Sequence, residues 1–210
     1  MTGSLPAILP VFAVPGALLL PGGRLPLTVF EPRYLAMTDD ALGAGRLLAL
    51  VQPTASGDGP APGLYSVGVL ARIVAFGETG DGRYLITCQG ISRFRVIGEV
   101  EGRSGYRRVH TDYSPYAADL AGEPDPVFDR RRLLGAVTAC LAQNGLASDR
   151  AKLDASNDRE LITTVAMAAP LSPEEKQALL EAPSLGERAR MMIAIFEMAV
   201  LSEAGETIRH

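Results

Sequence analysis

The chain has no tryptophan, and only two cysteines and two histidines among its 210 residues. These scarcities remove several kinds of chemistry at once. Cys88 and Cys140 are too few for a disulfide framework or a cysteine-only zinc site, and free cysteine ordinarily serves as a small buried apolar residue. His110 and the terminal His210 leave little for acid–base work. His110 stands in a polar stretch with Arg107, Arg108 and Asp112, where it reads as a sheet-surface histidine or, with a suitable partner, a general base. Lysine occurs only at 152 and 176, and no serine beside either carries a motif for a Ser–Lys pair. Phosphate-loop, H-E-x-x-H and G-x-S-x-G patterns are missing as well. No enzyme class, metal or cofactor is therefore expected. Positive charge is in deficit too, 20 Lys and Arg against 24 Asp and Glu, so the chain has no general attraction for polyanions.

A long uninterrupted apolar run is also lacking. Residues 4–23, "SLPAILPVFAVPGALLLPGG", are apolar, but Pro6, Pro10, Pro15 and Pro21 would break a helix by removing donors, and no positive residue precedes Arg24. The stretch reads as short strands joined by proline turns, and the expectation is a cytoplasmic protein with no membrane association.

What is present is 47% hydrophobic residues with 21% charged ones, enough for a substantial core. From Ile8 to about Tyr113 the pattern is strand-like. "RLPLTVF" (24–30) alternates, Pro32 then suits the first position of a helix carrying Tyr34, Met37 and Ala41, and "GAG" (43–45) ends it. "RLLALVQP" (46–53) predicts a strand, "TASGDGPAPG" (54–63) an exposed loop, and 64–78 and 83–90 two strands around the Asp-Gly turn at 79–82. In "ISRFRVIGEV" (91–100), Ile91, Phe94, Val96 and Val100 read as inward and Arg93 and Arg95 as polar neighbours. "GYRRVHTDY" (105–113) completes the set, and so many closely spaced strands imply a sandwich or barrel-like sheet.

At 114–126 the period changes to helical. Helices are predicted from Asp125–Pro126 to Gly145, over 156–169, over 172–182 with a Ser172/Glu175 capping box, and over 184–204 with Ser184 and Glu187. The division is a β domain over 1–116 and a helical domain over 124–206.

Two surfaces invite a functional reading. Arginines 93, 95, 103, 107 and 108 form a local basic patch that would suit RNA phosphates, although Glu99, Glu101 and Asp112 among them equally suit solvated strand faces. Glu31-Pro32-Arg33 marks a strand-to-helix corner, with the acid favoured at a helix N-terminus.

The strings "LPVFAVPGALLLPGGRLPLTVFEPRYLAM", "LYSVGVLARIVAFGETGDGRYLITCQGISRFRV" and "YRRVHTDY", followed by "LSPEEKQALLEAPSLGERARMM" (171–192), resemble the N-terminal substrate-binding domain of the Lon protease family. The resemblance implies an α+β fold, a PUA-like pseudo-barrel β domain followed by a helical bundle. It implies a standalone recognition module without the ATPase and peptidase parts of full Lon proteases, binding polypeptide segments or a protein partner in a groove between sheet and helices. RNA binding of the PUA-like kind is the rival. Adaptable contact with unfolded segments calls for aromatic side chains and a polar anchor, and Phe30, Arg33, Tyr34 and Phe76 are the candidates.

Overall fold

The computed structural model describes residues 5–54, 62–143, 145 and 150–207, so the loop expected at 54–63 falls largely outside the described residues. Two compact units follow each other along the chain, Met1–Gly122 and Glu123–His210.

The first unit contains β1 (Ile8–Ala13), β2 (Arg24–Val29), helix α1 (Pro32–Gly43), β3 (Leu47–Val51), β4 (Val67–Glu78), β5 (Tyr84–Arg103) and β6 (Tyr106–Asp112). β1 and β3 run parallel, and every other neighbouring pair is antiparallel. The pairings close a circuit, β1 to β3 to β4 to β5 to β6 and back to β1, with β2 added beside β5. Closure depends on the length of β5, which runs unbroken through Ile91 and Ser92. Its first part, 84–89, pairs with β2, its last part, 95–103, pairs with β6, and β4 lies along the opposite side. Register shifts at Leu70/Ala71, Ile73/Ala75 and Val96/Gly98 are what bend so long a ribbon into a closed shape.

Alternation fills the interior. Leu9, Val11, Ala49, Val51, Leu70, Phe94 and Val109 form one buried cluster, and full burial of each large member contributes about 1.5–3 kcal/mol. Gly90 is required by close approach: a Cβ there would fall inside van der Waals contact of the Leu20 carbonyl oxygen.

α1 begins where expected. Glu31 is the N-cap residue in extended conformation and Pro32 the first helical residue, so the missing proline N–H costs nothing. Tyr34, Met37, Thr38 and Ala41 form its buried face, at the i, i+3, i+4, i+7 spacing of one helical stripe. The Glu31 carboxylate does not cap the helix; it accepts from Arg33 instead.

Arg93 departs from the sequence reading. Instead of a solvated neighbour of Phe94 it is 1% exposed and pairs with Asp119. Asp119 belongs to the short helix α2 (Ala118–Ala121), which follows a 3-10 turn at Ser114–Tyr116. The first unit consequently reaches Gly122 rather than stopping at 116.

The second unit comprises α3 (Arg130–Gln143), α4 (Arg150–Ala155), α5 (Asp158–Ala168), α6 (Pro173–Glu181) and α7 (Leu185–Thr207). α3 starts later than Asp125–Pro126 predicted, because Asp129 accepts the Arg132 N–H at 2.9 Å and ends the extended approach. α5 is capped by Asn157, whose side chain accepts from Glu160 N–H, and α6 carries the predicted Ser172/Glu175 capping box. Leu133, Val137, Leu161, Val165, Met192 and Phe196 are buried among these helices. Among the described residues no helix is long and apolar enough to cross a membrane.

Candidate functional site

Everything at the corner is referred to α1. Tyr34 points inward: it is 5% exposed, its ring lies 4.6 Å from that of Phe12, and its hydroxyl donates to the Ala13 carbonyl at 3.2 Å. Burial pushes its phenol above the usual value. The expectation of an accessible ring at 34 is thereby corrected. The same stripe that lets α1 pack also takes Tyr34 into the core, where truncation to alanine costs about 3–5 kcal/mol.

Arg33, one residue earlier, faces out. Its guanidinium is held by Glu31, Nε to Oε2 at 2.9 Å and Nη2 at 2.7 Å, and lies 4.5 Å from the centre of the Tyr34 ring. An exposed pair of this kind contributes about 0–1 kcal/mol, so it orders the side chain more than it stabilises the fold. Beside Arg33 is the turn between β5 and β6, where Ser104 and Gly105 both have positive φ and a Cβ on Gly105 would lie 3.6 Å from that of Arg33. Asp40 fastens α1 to the same hairpin, accepting from Tyr106 Oη at 2.7 Å and facing Arg103 at 3.4 Å.

Phe30, between β2 and α1, is 64% exposed, while Phe76 on β4 is 41% exposed. Register relates the two. Val29 pairs with Tyr84, Tyr84 pairs with Glu78, and Phe76 packs edge-on against Tyr84 with ring centres 5.0 Å apart. The Asp39 carboxylate of α1 lies close enough to push the Tyr84 phenol above the usual value. Phe30 thus leaves the sheet at the end where the Phe76–Tyr84 pair sits, and α1 braces that end. Phe30 and Arg33 flank the corner, Phe76 stands on the adjoining sheet, and Tyr34 is buried with its ring against the Arg33 guanidinium.

The basic patch is largely spent on neighbours. Arg93 is buried with Asp119, Arg103 faces Asp40, and Arg107 pairs with Glu99 and donates to the Pro62 carbonyl at 2.7 Å. Hydrogen bonds from Arg107 hold the Glu99 carboxyl below the usual carboxylate range. His110 lies exposed on β6. Among the described residues no three His, Cys, Asp or Glu side chains gather as a metal would need.

Sequence reasoning missed a cleft among α3, α4, α5 and α7. Its signal was the run Glu160, Thr164, Ala168, small or polar residues at i, i+4, i+8 on a helix whose other face is apolar.

Residues 8–197 match the family model described as the ATP-dependent protease La (LON) substrate-binding domain. Among curated relatives, a Lon protease of Anaeromyxobacter dehalogenans is 26% identical over 91% of this chain and 23% of its own length. One of Salinispora arenicola is 30% identical over 89% of this chain and 23% of its own. The chain thus spans about a quarter of the relatives it matches. Among solved structures, the N-terminal domain of the Mycobacterium avium complex Lon protease aligns with a TM-score of 0.64 at 20% identity, covering 90% of this chain and 98% of that one. A Lon N-terminal domain protein from Xanthomonas campestris aligns at 0.60 and 24%, covering 89% and 97%. At these identities the structures speak for the fold, while the family model covers most of the chain: the protein belongs to the Lon substrate-binding domain family.

Proposed function

We propose that this chain is a non-enzymatic recognition module of the cytoplasm that binds exposed apolar segments of polypeptides, with Phe30 and Phe76 as contact side chains and Arg33 as polar anchor. The observation that carries the reading is the family match over residues 8–197 taken with two large aromatic side chains left 64% and 41% exposed on a braced scaffold. Exposed rings cost little side-chain entropy when they bind, and an unfolded segment offers apolar groups to meet them. The RNA reading is weaker because three of the five arginines behind it, 93, 103 and 107, are already engaged by carboxylates.

The test uses a permanently unfolded, reduced and alkylated model protein as probe. Phe30→Ser with Phe76→Ser should weaken its binding about tenfold or more, since burying each ring contributes roughly 1.5–3 kcal/mol, while the melting temperature stays nearly unchanged. Arg33→Ala should give a smaller loss. Undiminished binding by the double variant, or tight salt-sensitive binding of single-stranded RNA by the wild type, would overturn the reading.

A further inference from the structure

The helical unit holds a cleft of about 400 Å³, within the roughly 300–1,000 Å³ of small-molecule pockets. α3 contributes Val137 and Cys140, α4 Leu153 and α7 Phe196. α5 and its C-cap residue supply two rows at helical spacing, Leu161–Val165–Ala169 as an apolar wall and Glu160–Thr164–Ala168 beside it. The first row is buried and the second exposed, so the charged and polar atoms stand at the mouth. Among the described lining residues Glu160 is the one charged side chain; Arg130, whose guanidinium donates to the Leu153 and Ser156 carbonyls at the same edge, is paired with Asp158. The Glu160 carboxylate stands in the first turn of α5, where its full negative charge outweighs the partial positive charge of the helix N-terminus, and the other end, Ala168 to Pro170, is a helix C-terminus whose last carbonyls carry partial negative charge. Among the described residues no ion pair engages Glu160.

We propose that this cleft binds a small amphiphile with an aliphatic or aromatic body and a single cationic head, the body against Leu161, Val165 and Phe196 and the head at Glu160. An apolar body is favoured by walls whose polar side chains, among the described lining residues, are those of Ser156, Thr164 and Glu160, with Ser156 Oγ already donating to the Leu153 carbonyl. A cation is demanded by the sign of the mouth, since an anion would meet both a carboxylate and a helix C-terminus. One carboxylate is too few for a metal ion. The inference does not depend on the polypeptide reading, which concerns the other unit.

Sub-micellar octylammonium and octanoate, equal in chain length and opposite in charge, serve as probes. Calorimetry measures binding, and alkylation of Cys140 by an apolar maleimide, read by peptide mass spectrometry, locates it. Cys88 is the internal control, since it is 0% exposed and burial pushes its thiol up to about 12. Octylammonium should bind and slow alkylation of Cys140, and octanoate should bind about tenfold more weakly and protect correspondingly less. Glu160→Gln should weaken octylammonium about threefold, the scale of one exposed charge pair. Ala168→Trp and, separately, Thr164→Phe, both at exposed positions, should fill the mouth and abolish binding with the fold intact. Equal affinity for the two probes, binding that survives both filling variants, or protection of Cys140 by an unfolded polypeptide and not by octylammonium would each overturn the proposal.

Discussion

Replacing Asp119 by alanine should destabilise the β unit by about 3–5 kcal/mol, the cost of leaving one partner of a buried ion pair alone. Arg93 and Asp119 side chains are each 2% exposed. The carboxylate accepts Arg93 Nε at 2.9 Å and Nη2 at 2.7 Å, and also the Arg93 backbone N–H at 2.8 Å. That last bond falls in the stretch of β5 that neither β2, ending its pairing at Gln89, nor β6, beginning at Arg95, covers. Asp119 fills the gap in the ladder, and Tyr116 lies under the guanidinium at 4.7 Å. The loss is a large part of the roughly 5–15 kcal/mol that holds a domain. With a urea dependence near 2 kcal/mol per molar, the midpoint should fall by about 2 M. Cys88 lies in the core of this unit, so its alkylation against urea reports the unfolding of this unit in the intact chain. Should Asp119→Ala fail to fold, Asp119→Asn keeps the shape and one acceptor and gives a smaller fall. Arg93→Met with Asp119→Leu should recover part of the stability, because desolvation of both charges disappears with the pair, while the Arg93 backbone N–H, left without its acceptor, keeps a cost of about 1–3 kcal/mol. A single variant within about 0.5 kcal/mol of wild type, or a double variant no better than the worse single, would refute the reasoning.

Two further outcomes follow from the same sheet. Gly90 N–H donates to the Gly23 carbonyl, so by alternation Pro26, opposite Thr87, has its donorless nitrogen on the open side of β2, where a proline hinders addition of another strand. Pro26→Val should therefore leave the melting temperature almost unchanged and produce concentration-dependent self-association in size-exclusion chromatography; a variant that stays as monodisperse as wild type would contradict this. Burial, with donation to Asp40 second, pushes the Tyr106 phenol up to about 12. A raised folded value means the contribution is complete below the unfolded value near 10 and is lost as pH climbs toward 12. Wild-type stability should fall more steeply than that of Tyr106→Phe over this window, as urea midpoints at a series of alkaline pH values would show.

Local signals in the sequence determined most elements and the character of each half. Alternation marked the strands, Pro32 and the Ser172/Glu175 box fixed helix starts, and the change of period near 114–126 separated sheet from helices, because each depends on residues a few positions apart. The corner at Glu31–Arg33 was legible for the same reason. Tertiary structure decided the rest. Whether Tyr34 faced solvent depended on Phe12 and Ala13, some twenty positions earlier in the chain. Arg93 looked like any polar strand residue until Asp119, 26 positions away, came to lie against it. The cleft beside α5 belongs to four helices at once, and a void has no residue of its own to announce it. Spacing within an element is written in the order of the residues, but burial and partnership over long separations are set by how the chain closes on itself.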